Sequence, residues 1–181
     1  MIRNVTLETL FKHSIVQKYV GRSGMAHAVA VAEKAFEIAR ESDVNPDLAV
    51  KAGFLHDIGH YEWYQNGQWD YQLYKENDIH AIKGAERAHK LLVRCGENLP
   101  DAKAIALAIL LHTDSYLPEG HLQLTPLQKV VTLADEADEE PGGNHHYRQI
   151  SYNDALQRIQ NLDVQIDQYQ QKRQARLKRT S

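Results

Sequence analysis

Cysteine is almost absent: Cys95 is the only one in 181 residues. A single thiol excludes an intrachain disulfide framework and a cysteine-built zinc site, and it fits a reducing compartment. Proline is scarce as well, and 5 Pro with 10 Gly in a chain that is 43% hydrophobic and 25% charged do not make a disordered composition. Long hydrophobic runs are missing. No window approaches the length needed to span a bilayer, and Met1 to Lys18, where polar and apolar residues alternate, lacks the apolar core and cleavage site of a secretory leader. A cytoplasmic protein with no membrane partner is therefore expected. Nor is there an excess of one charge. The formal net charge is −3 at pH 7, which argues against a broad nucleic-acid surface. The one basic run, Lys172, Arg173, Arg176, Lys178 and Arg179, sits at the C-terminus, where cations complement a helix dipole. Convincing strand alternation is also absent.

What is present is helical periodicity. From Met25 to Arg40 apolar residues recur at Ala28, Val29, Ala32, Ala35, Phe36 and Ala39, the spacing of one buried face. Asn45-Pro46-Asp47 reads as a break and a capped helix start, with the helix running from about Asp47 to Ile58. Tyr61 to Asp78 has no firm period and reads as a loop or short helical turns, with Asn66-Gly67 as a turn. Helices are expected over Ile79 to Val93, Pro100 to His112 and onward from Thr125-Pro126. A loop follows over Glu139 to His146, then a last helix from about 152 to 177. Its seam of Ile159, Leu162, Ile166 and Tyr169 suits docking in cis or pairing of two chains as a homodimer. The expectation is an all-α, single-domain bundle over 1–181, a length that supports one sizeable core.

Ten histidines are the compositional anomaly, and their places carry the argument. His27 interrupts the Ala/Val face of the first long helix. His56 and Asp57 end an apolar helix in Leu55-His56-Asp57-Ile58-Gly59-His60. His80 opens a helix whose Gly84 and Ala85 permit close helix approach. His112 ends the apolar run from Ala106, and Asp135 extends the stripe of Leu127 and Val131. Imidazoles and carboxylates on buried faces are costly unless paired or bound to metal. Several of them in one small domain predict convergence on a shared ion. A donor set of N and O without thiolate suits one or two divalent ions (iron first, with Mn, Co, Ni, Mg or Zn as alternatives) and leaves positions open for water.

The order His27, then His56-Asp57, then Asp135 resembles the H…HD…D signature of the HD-domain superfamily, mostly metal-dependent phosphohydrolases, over roughly Met25 to Asp138. The resemblance implies a bundle with a metal site at its centre, with His80 and His112 as ligands of a second ion. His80-Ala81-Ile82-Lys83-Gly84-Ala85, Ile109-Leu110-Leu111-His112-Thr113 and Leu124 to Asp135 are similar to the bacterial HD-type enzymes that split diadenosine tetraphosphate. This implies a small phosphorylated substrate, a nucleotide or dinucleoside polyphosphate. The alternative is the mixed-valent di-iron oxygenase branch, which carries a similar His-Asp-(Ile/Leu)-Gly-His run.

The candidate metal ligands are thus His27, His56, Asp57, His80, His112 and Asp135, and the candidate catalytic residues Asp57, His60 and Lys83. His60 either orients a phosphate or bonds at a helix end. Lys83, one turn beyond His80, is placed to reach a phosphate as a point charge. Asp138 is expected to be structural rather than a polariser of a ligand. His13, His89, His121, His145 and His146 are expected at the surface, with only the last two near substrate. Trp63, Tyr64, Trp69, Tyr71 and Tyr74 read either as a lid or as a platform for a base.

Overall fold

A computed structural model describes residues 3–60, 64–65, 68–70, 72, 76, 78–113 and 123–180. The first two helices, α1 (Leu7–Lys12) and α2 (Ser14–Ser23), occupy the N-terminal stretch in which periodicity shows no helix. α1, at six residues, is too short to display a period. Both starts are set by side chains: Thr6 Oγ1 accepts from Thr9 N–H, and His13 Nδ1 from Ile15 N–H. Leu7, Leu10, Phe11, Val16 and Val20 then bury, at about 1.5–3 kcal/mol for each large apolar side chain.

Helix α3 (Met25–Glu41) follows the expected period. α4 (Pro46–Leu55) has Asn45 as cap and proline in its first turn, in agreement with the sequence. It ends earlier than expected, however, one residue before His56. Ile58 N–H bonds Leu55 O and His60 N–H bonds Asp57 O at 3.0 and 3.1 Å. These three-residue bonds tighten the chain into a turn, so His56 and Asp57 sit on that turn rather than within the helix. Within the stretch expected as a loop or short helical turns, Tyr64–Gln65 (β1) and Gln68–Trp69 (β2) form a two-residue antiparallel ladder, while Gln72 and Glu76 are helical. Asn66-Gly67 and the side chains of the aromatic group at 63, 64, 69, 71 and 74 lie outside the described residues, as does His121.

Helices α5 (His80–Cys95), α6 (Leu99–Leu110) and α7 (Pro126–Glu136) follow. Asn98 caps α6, and Thr125 with Gln128 makes a reciprocal capping box on α7, satisfying two of the orphan N–H groups at that helix start. The expected loop after α7 is instead a 3₁₀ segment, Pro141–Tyr147, kinked where Gly142 and Gly143 take φ of 74° and 70°. The long α8 (Tyr152–Thr180) closes the chain.

α3 packs against α4, α7 and α8, α4 against α6 and α7, and α5 against α6. The C-terminal seam docks in cis: Ile159, Leu162 and Ile166 are buried, and α8 lies on α1 and α3. Gly84 fulfils the close approach expected of it. A Cβ on Gly59 would stand 1.9 Å from His80 O and 2.3 Å from Gly84 N, so α5 rests directly on the backbone of the His56–Gly59 turn. The architecture is all-α, and the turn between α4 and β1 lies at its centre.

Candidate metal centre

Each expected ligand comes from a different place in the chain. His27 rises from the third residue of α3, His56 and Asp57 from the turn after α4, His80 from the start of α5, His112 from just beyond α6, and Asp135 from the last turn of α7. All six converge. His27 Nε2 stands 3.2 Å from His56 Nε2 and 3.1 Å from Asp135 Oδ1. His56 Nε2 is 3.3 Å from that same Asp135 oxygen and 3.4 Å from Asp57 Oδ2. On the other side, His80 Nε2 and His112 Nε2 are 3.2 Å apart, and each is 3.7 Å from Asp57 Oδ1. Asp57 therefore offers one carboxylate oxygen to each group.

The far nitrogens explain why these rings face inward. His56 Nδ1 lies 2.7 Å from Gly53 O and His112 Nδ1 2.6 Å from Ile109 O. A carbonyl only accepts, so both Nδ1 atoms carry the proton. His27 Nδ1 meets Asp138 Oδ2 at 2.8 Å, and His80 Nδ1 meets Asp78 Oδ1 at 2.5 Å. His56 and His112 thus carry a proton on their outer nitrogen, and all four rings turn Nε2 inward in pairs. Nitrogen against nitrogen at 3.2 Å requires either a shared proton or a cation between the two rings. Ligand atoms about 2.1 Å from one ion are separated from each other by roughly this distance, and carboxylate or carbonyl partners on the outer nitrogen are the usual anchors of metal-binding imidazoles. The donor set fits divalent metal.

The protonation pattern says the same. Burial works against a charge on His56, yet Asp57 and Asp135 outweigh it and hold the ring well above its ordinary range. Burial would likewise raise Asp57, but His56 and His60 hold it well below the usual carboxylate range, and Asp135 is held low against burial by His56 and His27. In His112, burial and then the neighbouring His56 and His80 push the pKa down to about 4, so this ring stays a neutral donor. The cluster draws positive charge to its middle, where a proton substitutes for a metal ion.

His60 belongs to the centre: its Nε2 is 3.1 Å from Asp57 Oδ1, and its ring stacks on His80 with centroids 4.4 Å apart. Burial lowers its proton affinity, but Asp57 more than restores it. Lys83 is half-buried one turn along α5 and makes no contact with the cluster among the described residues. His145 is buried, contrary to expectation, and His146 is only half-buried. The kinked 3₁₀ segment brings them against His27, with centroids 4.5 and 5.2 Å away. Their approach depends on Gly24, at φ 115°, where a Cβ would lie 3.0 Å from His146 O. His27, His145 and His146 have possible ligand atoms within 4.8 Å of one another, and the Nδ1 atoms of the last two are anchored on the backbone. His145 Nδ1 accepts from Glu140 N–H, and His146 Nδ1 lies 2.7 Å from Ser23 O. This trio forms a wall of the site. Side-chain exposure is 32% at His146, 11% at His60 and 15% at Asp135, against at most 6% for the other ligands. The centre opens between these three.

Sequence reading missed Asp78 and Arg148 and ranked Asp138 as structural. Asp78 had a signal: it precedes a helix start by two residues, and its Oδ1 also accepts His80 N–H. Arg148, which pairs with Asp138, had none, because its role depends on how the 3₁₀ segment folds back.

Comparison with known proteins agrees with this geometry. The HD domain family model matches residues 24–140. The chain is also 63% identical over 169 residues to the protein named "Putative phosphohydrolase YueE" of Bacillus subtilis (strain 168), covering 93% of this chain and 96% of that one. No solved structure matches. Taken with the convergence on Asp57, the match over residues 24–140 means that the chain belongs to the HD-domain family of metal-dependent hydrolases.

Proposed function

We propose that this protein is a phosphohydrolase that cleaves a phosphoester or phosphoanhydride, in a nucleotide or dinucleoside polyphosphate, with water as the nucleophile. The observation that carries the reading is the division of Asp57: Oδ2 faces the His27, His56 and Asp135 donors, and Oδ1 faces those of His80 and His112. The Bacillus subtilis relative's name supports the reaction class. The substrate class rests on the resemblance of the segments around His80, His112 and Asp135 to enzymes that split diadenosine tetraphosphate. Iron is our first choice of ion, and the lone Cys95 fits a cytoplasmic setting.

His27, His56, Asp57 and Asp135 would hold one divalent ion, and Asp57, His80 and His112 a second. Such ions supply Lewis acidity, acidifying a water and offsetting charge on phosphoryl oxygens. The chain's own residues do the rest. Gly53 O, Ile109 O, Asp78 and Asp138 hold the four imidazoles with Nε2 inward. As water attacks phosphorus and the P–O bond to the leaving group breaks, the departing oxygen needs a proton. His60, whose Nε2 lies 3.1 Å from Asp57 Oδ1, would supply it. His146 faces His60 with centroids 5.4 Å apart. Burial, reinforced by His60, His145 and His27, lowers its pKa to about 4, so it lines the opening as a neutral ring. Lys83 would reach a distal phosphate.

The test is phosphate release by the metal-loaded enzyme from a nucleotide panel including diadenosine tetraphosphate, run with and without oxygen. We expect oxygen-independent release. Oxygen uptake with a phosphonate or polyol, and no phosphate from any nucleotide, would overturn the reading in favour of an oxygenase.

A further inference from the structure

Asp138 is a buried carboxylate in a strongly acidic stretch, Asp135-Glu136-Ala137-Asp138-Glu139-Glu140. The crowding is felt locally: burial, then Asp135 and Glu136, push the Glu139 carboxyl up. A second carboxylate held three residues from a metal ligand needs a counter-charge. Arg148 supplies it. The same oxygen, Asp138 Oδ2, meets His27 Nδ1 at 2.8 Å and accepts from Arg148 Nη2. The rest of that guanidinium is also engaged: Nε points to His145 O at 3.4 Å, and Nη1 pairs with Glu140 at 3.4 Å. One side chain thus holds the outer anchor of His27 and both ends of the segment carrying His145 and His146. Its planar fork allows three simultaneous contacts that a lysine could not make.

We propose that Arg148 is a positioning residue of the metal centre, acting through Asp138 to orient His27 while latching the 3₁₀ segment against the first ion's donor group. The partners of Arg148 are Asp138, Glu140 and His145 O, and not the inward nitrogen of His27. Its side chain is 36% exposed, against 7% for Asp138, so shortening it opens no cavity in the core. The effect of losing it falls on His27 alone among the ligands. His56 and His112 are anchored by carbonyls and His80 by Asp78.

The inference rests on the metal-centre reading and not on hydrolysis, and Mn²⁺ titration into metal-stripped full-length protein tests it without any substrate. His27→Ala and His112→Ala identify the binding components of the two donor groups. Arg148→Ala is expected to weaken the component lost in His27→Ala about 10-fold and to leave the one lost in His112→Ala unchanged. Arg148→Lys should recover part of the loss, since it restores the charge but not the fork. Should Arg148→Ala fold poorly, Asp138→Asn removes the same anchor isosterically and is expected to show the same selective loss. Wild-type Mn²⁺ binding in Arg148→Ala or Asp138→Asn, or equal weakening of both components, would overturn the proposal. Absence of Mn²⁺ uptake by the wild-type protein would overturn the metal reading with it.

Discussion

Two buried polar clusters sit in this bundle, and they are built in opposite ways. In one, Lys51 Nζ lies 2.7 Å from Asp47 and 2.6 Å from Glu97, while Arg3 reaches Asp47, Asp163 and Asp167 at 3.2, 2.7 and 2.9 Å. Asp163 also accepts the N–H groups of Leu7 and Glu8. Donors meet acceptors throughout, and the cluster ties the chain start to α4, the link before α6, and α8. In the other, four imidazole Nε2 atoms and two carboxylates face inward, with no lysine or arginine among the six. The first cluster carries its own cations, whereas the second is complete only with a cation from outside. What separates a structural network from a binding site here is the matching of donors to acceptors, since burial is nearly the same in both.

The comparison can be broken most severely at Asp57, the group shared by both halves of the metal centre. Asp57→Ala should remove bound metal and bring phosphate release below detection, as read by elemental analysis and assay. An active, metal-replete variant would end the account of the site. Next in size is the structural cluster. Lys51→Ala leaves Asp47 and Glu97 buried without their cation and should cost about 3–5 kcal/mol in urea unfolding. Metal content should be unchanged, and a parallel loss of metal would show that the two clusters are coupled.

Removing metal with a chelator should lower the melting temperature of the wild-type protein. Free metal at 100 times its dissociation constant contributes about 2.7 kcal/mol. The decrement should be the same in Lys51→Ala, because the clusters share no residue. The smallest effect is on pH. In the metal-free protein, folded His112 and His146 have pKa values of about 4, against about 6.5 when unfolded. Between these values the unfolded chain binds more protons, so stability falls as pH drops from about 6.5 to about 4. His56 and His60, held above their ordinary range, oppose this slope near pH 6.5 and cease to matter lower down, where their unfolded rings are protonated as well. Urea midpoints across this window, with and without metal, measure the effect. A flat profile in the metal-free protein would count against the neutral, buried state of those two rings.

Much of the site is legible in the order of residues alone. The six ligands stand out because His27, His56, Asp57, His80, His112 and Asp135 occupy positions where helical period or an apolar run calls for an aliphatic, and such a mismatch can be read locally. Helices α3 to α7 are legible for the same reason, with Asn45 and Thr125 marking two starts. The end of α4 is not, because the tightening of the His56–Gly59 turn follows from α5 pressing on Gly59. Helices α1 and α2 are short, and they are held by burial and by side-chain caps rather than by a visible repeat.

By itself, then, the sequence determined the helical class, the candidate ligands and the chemistry those candidates favour, because period and residue type are properties of neighbouring positions. Only the tertiary structure decided that Asp57 faces two donor groups, that Asp78, Asp138, Gly53 O and Ile109 O turn the four rings inward, and that His145 and His146 close one wall. It also put Arg148, 121 positions after His27 in the numbering, in charge of that ring's outer anchor. Those choices depend on distances between residues far apart in the chain. They are fixed by helix packing, by two glycine contacts at Gly24 and Gly59, and by the need of each buried charge for a partner.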